Sequence, residues 1–269
     1  MERIIFKIFK KIAGIFGGKG FAKLPGIGKL YRFFYGKLKP QGIVEVFSEG
    51  HKIFINSKDT GIAPYLLMGK NFAQDEIDLL KKILKPGMIF VDIGANIGYF
   101  SLVSAKLVGD QGQVYAFEPD PDNFNLLEKN IKVNNYKNII AVNKAVSDKS
   151  GKARLYLEPD NLCGHSLVVK NGNKFVEVEI IILDEFLKDK KIDVIKIDVE
   201  GFEPVVLEGM KNIIKNNDKI SIITEFYPEA IKKAGYSPEK YKNDLKDLGF
   251  KLNEFGEGKK LINIFAQKS

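Results

Sequence analysis

Short apolar runs and helix-period stretches alternate along the chain after residue 88. An apolar run of four or five residues predicts a buried strand, and apolar residues at every third or fourth position predict a helix. The predicted strands of this region are Ile89–Ile93, Gln113–Phe117, Ile139–Val142, Val194–Ile197 and Ile220–Thr224. The predicted helices among them are Ile97–Val108, Pro121–Val133, Pro204–Lys215 and Pro238–Leu248. This order predicts an α/β fold, in which helices cover both faces of a parallel sheet.

Further elements surround this core: a small β-hairpin and a helix before it, two strands inserted within it, and two closing strands that predict an antiparallel edge. Their predicted bounds are Ile43–Phe47 with Lys52–Ile55, Gln74–Leu84, Ala153–Leu157 with Lys174–Ile182, and Lys251–Asn253 with Leu261–Phe265. We therefore divide the chain into an arm at residues 1–40, a hairpin and lead-in segment at 41–72, and the main domain at 73–269.

The arm is strongly basic. Residues 1–39 hold ten Lys and Arg residues against one acidic residue, Glu2, and so account for the whole excess behind the net charge of +8. On a helical wheel drawn over residues 3–16, four basic residues occupy about one third of the circle, and Ile and Phe fill most of the rest. This division predicts an amphipathic helix, and the segment Phe21–Leu38 repeats its aromatic and basic composition.

Three uses fit such an arm. No apolar run approaches the roughly 20 residues that span a bilayer, but a basic amphipathic helix with a wide apolar face suits an anionic membrane surface. The same face could instead pack on the core or join two copies as a homodimer. Binding RNA is a third use, although the near-neutral charge of the remaining chain argues against a broad nucleic-acid surface. The single cysteine, Cys163, cannot form an internal disulfide, which favours a cytoplasmic location, on the membrane if the arm binds there.

Candidate ligand-binding residues follow the carboxyl ends of the strands, because ligands of open α/β sheets bind there. Asp92 ends the first strand, and Gly94 and Gly98 follow it in DIGANIG. The glycines allow the backbone to approach a ligand closely, and the helix N-terminus beyond them suits a ligand carboxylate. Asp92 either organises the turn or contacts a ligand ammonium. Glu118 ends the second strand, where a carboxylate can accept hydrogen bonds from both ribose hydroxyls.

The fourth strand ends in an acidic segment, KIDVEGFE, and charge at the end of a buried strand is costly unless it is paired or used. Asp198 and Glu200 point the same way if the chain stays extended. They could bind an acceptor hydroxyl, act as a base or, with Glu225 after the fifth strand, hold a divalent metal such as Mg²⁺. We expect Glu203 to serve the N-terminus of the next helix. His165, from the insertion, is a further candidate base.

Four segments in combination resemble the FkbM family of S-adenosylmethionine-dependent methyltransferases. They read VDIGANIGYFS, VYAFEPDP, AVSDKSG and IDVIKIDVEGFEPVVLEGM, and the resemblance covers roughly residues 72–226. It implies the class I methyltransferase fold, a Rossmann-like, doubly wound sheet of seven strands whose last strand is antiparallel. It also implies S-adenosylmethionine as cofactor and O-methylation of a hydroxyl, often on a sugar or a polyketide-derived product.

The same resemblance implies positions around the cofactor. Those on its methionine side are Asp92, Gly94, Asn96 and Gly98. Glu118 holds the ribose, while Ala145 and Val146 lie by the adenine. The residues next to the transferred methyl group are Asp198, Glu200 and Gly201.

Two other enzyme classes share part of this pattern. An NAD-dependent oxidoreductase would share the strand, the turn and the ribose carboxylate, but its turn has the form GxGxxG, whereas this one reads GANIG. An RNA methyltransferase would use the basic arm, although the rest of the chain is near neutral. We therefore expect a small-molecule or glycan acceptor, lipid-linked if the arm binds a membrane, and regard nucleic acid as the weaker alternative.

Overall fold

A computed structural model of the chain describes residues 2–16, 26–169, 172, 174–256 and 261–268. The remaining part of the predicted arm, residues 1 and 17–25, lies outside the described residues. The helices are α1 (Glu2–Phe16), α2 (Ile27–Leu38), α3 (Ala63–Leu67), α4 (Gln74–Ile83), α5 (Tyr99–Val108), α6 (Pro121–Val133), α7 (Leu183–Phe186), α8 (Glu203–Glu208), α9 (Lys211–Asn216), α10 (Pro228–Lys233) and α11 (Pro238–Asp247). The strands are β1 (Ile43–Ser48), β2 (His51–Asn56), β3 (Ile89–Ile93), β4 (Gln113–Phe117), β5 (Ile139–Val142), β6 (Ala145–Ser147), β7 (Gly151–Tyr156), β8 (Phe175–Ile182), β9 (Val194–Ile197), β10 (Ser221–Phe226), β11 (Phe250–Phe255) and β12 (Ile262–Lys268).

Seven strands form the central sheet, in the order β11–β12–β10–β9–β3–β4–β5. The five strands from β10 to β5 run parallel, whereas β12 is antiparallel to both β10 and β11. The order turns back at β3, so the carboxyl ends of β3, β4 and β9 meet at a switch point, where a ligand cleft is expected. The predicted α/β class, with seven strands and an antiparallel last strand, is confirmed.

Hydrophobic layers cover both faces of this sheet, because neighbouring residues of a strand point to opposite sides. Phe90 of β3 packs with Leu80 of α4 and Leu102 of α5. Its neighbour Val91 belongs to the opposite layer, which also contains Val206 of α8. The sheet is therefore doubly wound, and strand-end residues between the layers are held in place from both sides.

The predicted elements differ from the structure mainly where they are short or interrupted. The predicted helix over Pro204–Lys215 is two helices, α8 and α9, which are separated at Gly209 and Met210. A Cβ at Gly209 would overlap the Ser147 carbonyl oxygen, so this position favours glycine. Helix α5 begins two residues later than predicted, after Gly98 in the left-handed region (φ 87°). The four short elements α3, α7, α10 and β6 were not predicted, since three to six residues show too little periodicity.

The arm and the β1–β2 hairpin share a hydrophobic cluster with the main domain. Phe6 of α1 and Ile53 of β2 are buried in the same cluster as Ile77 of α4. Asn130 of α6 also ties the hairpin down, since its Oδ1 accepts a hydrogen bond from the Phe54 N–H at 2.6 Å and its Nδ2 donates to the Phe54 carbonyl. One continuous hydrophobic core thus extends across the boundaries predicted at residues 40 and 72.

Candidate active site

The turn between β3 and α5 is held in a conformation that favours glycine. Gly94, Asn96 and Gly98 all have positive φ, at 84°, 51° and 87°. Gly94 lies so close to the end of β9 that a Cβ would overlap the carbonyl oxygen of Asp198. The amides of Gly94 and Ala95 both donate to the Phe117 carbonyl of β4, at 3.0 and 2.9 Å. The turn thereby joins the ends of the three strands that meet at the switch point.

Glu118 is fixed beside this turn by two backbone hydrogen bonds. Its Oε2 accepts from the Asn96 N–H at 2.7 Å, and its Oε1 accepts from the Asp120 N–H at 2.9 Å. The residue is only 5% exposed, and burial raises the pKa of its carboxyl to about 8, against the lowering effect of these hydrogen bonds. Glu118 lines the cleft, where an ionised carboxylate would accept hydrogen bonds from a diol.

Asp92 lies beneath the turn, behind the residues that line the cleft. It is fully buried, and its Oδ2 accepts a 2.5 Å hydrogen bond from the Ser101 hydroxyl of α5. Burial raises the pKa of the Asp92 carboxyl. In this position Asp92 anchors the first turn of α5 to β3, which is one of the two roles that its sequence position suggests.

Three carboxylates converge on the other side of the switch point. Asp198, Glu200 and Glu225 each place an oxygen within 4.8 Å of the others. The chain does not stay extended after β9, because Glu200 has a φ of 56° and Gly201 a φ of 98°. The condition of an extended chain is therefore not met, and it is the turn that brings Glu200 beside Asp198.

Glu203 stabilises this turn. Its Oε1 accepts hydrogen bonds from the N–H groups of Val199 and Gly201, both at 3.1 Å. It is the first residue of α8 and is buried, so it acts at the start of that helix as expected from the sequence. Burial raises the pKa of its carboxyl to about 7, whereas the backbone hydrogen bonds lower it.

Lys196, inside β9, is the counter-charge that sequence reasoning missed. Its Nζ lies 2.7 Å from Oδ2 of Asp198, and the side chain is 3% exposed. The ammonium also lies 4.2 Å from the ring centroid of Phe100, and Asp92 stands opposite on β3. Burial alone would lower the pKa of Lys196, but the charges of Asp198, Glu76 and Asp92 raise it. A lysine in an otherwise apolar strand, two residues before an aspartate, was the available signal.

The inserted segment between β7 and β8 closes over the cleft. The Leu162 carbonyl accepts hydrogen bonds from Nδ2 of Asn96 at 3.1 Å and of Asn123 at 2.9 Å. Nδ1 of His165 accepts from the Glu158 N–H at 3.0 Å, so the neutral ring carries its proton on Nε2. His165 thus lines the cleft, but its basic nitrogen is already engaged.

The cleft encloses about 1020 Å³ of empty space, including the part open to solvent. Its walls bring together most of the residues singled out in the sequence. Among those lining it are Gly94, Asn96, Glu118, Ala145, Val146, His165, Asp198, Glu200 and Glu225. Ala145 and Val146 belong to the short strand β6, which sets them on the wall beside Glu118. The nucleoside part of a ligand can thus face Glu118 and β6 while the other end of the ligand faces the three carboxylates.

Residues 92–252 match the sequence profile of the methyltransferase FkbM domain, which covers more than half of the chain. The chain belongs to this family. Hexuronic acid methyltransferase AglP of Haloferax volcanii is 30% identical over 146 residues, which are 53% of this chain and 58% of that protein. Methyltransferase sdnD of Sordaria araneosa is 28% identical over 197 residues, 60% of this chain and 73% of that protein. The FkbM resemblance and the S-adenosylmethionine-dependent methyltransferase class are confirmed, and the oxidoreductase alternative is set aside.

The solved structure of an rRNA-methylase candidate from Clostridium thermocellum has the same fold. It aligns with a TM-score of 0.50 at 12% sequence identity, covering 74% of this chain and 97% of that one. At such low identity the likeness extends to the fold alone.

The FkbM turn fits S-adenosylmethionine at two points. Positive φ and the close approach of the β9 backbone leave room only for glycine at Gly94, which opens the cradle beside α5. Glu118 follows β4, which lies between β3 and β5, and so offers a buried carboxylate beside this cradle. Gly94, Asn96 and Glu118 would hold the amino acid and the ribose, and Ala145 and Val146 would cover the base.

Proposed function

We propose that this FkbM-family protein transfers a methyl group from S-adenosylmethionine to a hydroxyl of a sugar, a glycan or another small-molecule acceptor. The observation that carries the proposal is that Asp198, Glu200 and Glu225 meet in the same cleft that the turn at Gly94 and the carboxylate of Glu118 line. Cofactor-binding groups and groups able to accept a proton thus share one cavity, as in-line transfer to an alcohol requires.

The carboxylates supply the base. An alcohol is a weak nucleophile near neutral pH, so a proton acceptor must assist the attack. When bound, S-adenosylmethionine supplies a methyl group activated by its sulfonium. The acceptor oxygen forms the new bond to that carbon as the bond to sulfur breaks, and Asp198 takes the hydroxyl proton, with Glu200 as the second candidate. The hydrogen bond at Nδ1 of His165 favours the carboxylates over this third candidate.

The same three carboxylates are hard oxygen ligands of the kind that Mg²⁺ prefers. Two ligands of one such ion lie no more than about 4–5 Å apart, and the oxygens of Asp198, Glu200 and Glu225 meet that limit. In the described residues Asp198 is already paired with Lys196 through Oδ2. We therefore assign base catalysis to this cluster, with a divalent metal as the alternative way of activating the hydroxyl.

A sugar hydroxyl suits the acceptor side of the cleft. Three carboxylates accept hydrogen bonds from hydroxyl groups readily, so they suit an acceptor rich in hydroxyls. The relative AglP is named for a hexuronic acid, which supports a carbohydrate as the class of acceptor.

We infer a cytoplasmic protein whose basic arm, residues 1–38, contacts the membrane peripherally, where the acceptor would be lipid-linked. Pairing of two copies through the arm is the alternative use.

Calorimetry with S-adenosylhomocysteine tests the proposal. We expect micromolar binding by the parent chain and a loss of at least tenfold in affinity on Glu118→Ala. Glu128→Ala, which removes an exposed carboxylate from α6, serves as the matched control and should bind like the parent. A folded parent that fails to bind would contradict the proposal. With binding established, label transfer from S-adenosylmethionine to neutral and to uronic-acid-containing glycans, with Asp198→Asn as the inactive control, identifies the acceptor.

A further inference from the structure

The arm has two apolar surfaces with different surroundings. One is a ring cluster through which α1 and α2 pack together: Phe6 lies 6.2 Å from Tyr35, and Phe9 lies 5.6 Å from Tyr31, between ring centroids. Phe6 is buried in the same cluster as Leu66 of α3. The arm is therefore fixed on the main domain through this inner surface, and packing on the core accounts for part of its apolar residues.

The second surface is exposed. It consists of six large apolar residues, each between 42% and 57% exposed, which we call the outer residues of the arm: Ile5, Ile8, Ile12, Leu30, Phe33 and Phe34. On α1 they recur at spacings of three and four residues and so form one stripe along the helix. An exposed apolar set of this size, rimmed by polar residues, marks an interaction site.

Positive charge surrounds the outer residues. Exposed basic side chains on the same two helices are those of Lys7, Lys11, Lys29, Arg32 and Lys37. The Nζ of Lys37 lies 5.2 Å from the ring centroid of Phe33, so cations and apolar side chains are interleaved. In sequence the arm has one acidic residue, Glu2, against ten basic ones. The partner that complements this surface is apolar and anionic at once.

We propose that the outer residues of the arm dock on an anionic membrane surface, with the apolar side chains among the acyl chains and the basic ones at the lipid phosphates. Interfacial helices bind in this way, by buried apolar area together with attraction to anionic lipids. A second copy of the chain is a poor occupant, because pairing two such surfaces would bring like charges together. Among the described residues, no helix combines the length and apolarity of a membrane span, so the contact is peripheral.

The arm also lies against one wall of the cleft. The Nζ of Lys39 donates to the Ser57 carbonyl at 2.5 Å, and a Cβ on Gly69 would meet the Nζ of Lys10 at 2.6 Å. Ile62 of the same segment lines the cleft. Docking would therefore turn towards the bilayer the side of the main domain that carries this segment. This consequence for a membrane-held acceptor rests on the proposed methyltransferase function, whereas the docking itself does not.

Flotation of the full chain with vesicles tests the docking. We expect the protein to float with phosphatidylcholine vesicles that contain one quarter phosphatidylglycerol and to remain unbound with phosphatidylcholine alone. The double variant Ile8→Ser, Phe34→Ser should lower the bound fraction at least tenfold, and so should Lys7→Glu, Lys11→Glu. The matched controls are Phe47→Ser, on the exposed face of the hairpin, and Lys188→Glu, Lys190→Glu, after α7, both of which should float like the parent.

Three results would overturn the docking: a parent that does not float, a parent whose flotation the arm variants leave unchanged, and a dimer or an RNA complex that the arm variants abolish without any flotation. Calorimetry with S-adenosylhomocysteine on the same preparations separates the two proposals. Cofactor binding without flotation contradicts the docking alone. Flotation without cofactor binding contradicts the methyltransferase function alone.

Discussion

The ammonium of Lys196 lies 2.7 Å from the Oδ2 atom of Asp198, with the lysine on the buried strand β9 and the aspartate at its end. Asp198 is the less buried partner, with 32% of its side chain exposed, so the pair joins the interior to the cleft. One carboxylate oxygen is occupied by the lysine, and the carboxylate is thereby held in one orientation. In the proposed reaction Lys196 would be a positioning residue, because it would act on the acceptor through Asp198.

Replacing Lys196 by methionine should lower methyl transfer strongly and raise the pH at which half of the activity is reached. The reason is that burial and the charges of Asp198, Glu200 and Glu203 raise the pKa of Glu225 in this cluster, whereas the charge of Lys196 lowers it, so that without Lys196 the cluster keeps a proton to higher pH. A purely structural role would lower the rate without moving the pH profile. Lys196→Arg should restore much of the profile, and Lys240→Met, which breaks the exposed 2.7 Å pair with Asp244, should leave it unchanged. The pH dependence of kcat/KM is the measurement.

Affinity for S-adenosylhomocysteine should rise as the pH increases from 6 to 8. Ribose hydroxyls donate stronger hydrogen bonds to an ionised carboxylate than to a carboxylic acid, and burial raises the pKa of Glu118 to about 8. Binding to Glu118→Gln should be weaker and should not follow this rise. Calorimetry across the pH range decides the point, and a rise that persists in the glutamine variant would assign it to another group.

The raised pKa of Glu118 also predicts how the stability of the protein changes with pH. The folded pKa of this carboxyl lies above the ordinary value of 4.5, so the native state holds the proton more tightly than the unfolded chain does. The stabilisation is complete below pH 4.5 and is lost as the pH rises towards about 8. Relative to Glu118→Gln, the free energy of unfolding of the parent should therefore fall over this window and level off above it. Urea unfolding at a series of pH values measures the difference.

A methyl group at Gly94 should destabilise the protein and abolish cofactor binding. Gly94→Ala faces both a positive φ and an overlap with the Asp198 carbonyl. Gly87→Ala is the matched control, because Gly87 has nearly the same φ, 86°, but open space around its Cβ position. We expect a loss of about 1 kcal/mol at Gly87 and about 3 kcal/mol or more at Gly94. Equal losses, measured by urea unfolding, would show that the overlap contributes nothing.

The sheet was predictable because its central strands are buried on both faces and read as nearly continuous apolar runs, as in Gln113–Phe117. The glycine turn and Glu118 were predictable for a similar reason, since the ends of parallel strands must meet at one edge. Lys196 was not, because a strand pattern does not show which neighbour will neutralise an inward-pointing charge. The contacts of Leu162 were not either, since the loop's place over the cleft depends on residues distant in sequence, Asn96 and Asn123.

For the arm, too, the sequence predicted the helix but not which of its apolar residues are buried. A helical wheel separates basic from apolar residues in α1, and the structure contains the helix that it predicts. It does not show that Phe6 will be buried while Ile8, two positions later, stays 55% exposed. That division depends on where α2 and α3 lie. The sequence alone therefore left packing and membrane contact as competing uses of one face, whereas the structure separates the arm residues that pack on the core from those that stay exposed and could make the proposed contact.

The inserted segment should be held over the cleft by Asn123. Its Nδ2 donates to the Leu162 carbonyl at 2.9 Å, and the side chain is 2% exposed, so Asn123→Ala removes a buried hydrogen bond worth about 1 kcal/mol. Amide exchange over residues 158–167 should then quicken about fivefold, since local opening becomes easier by that amount. Asn134→Ala, which removes hydrogen bonds to the hairpin at Lys52, is the control and should leave these amides unchanged. Exchange that is equally fast in both variants would mean that Asn123 does not hold the segment.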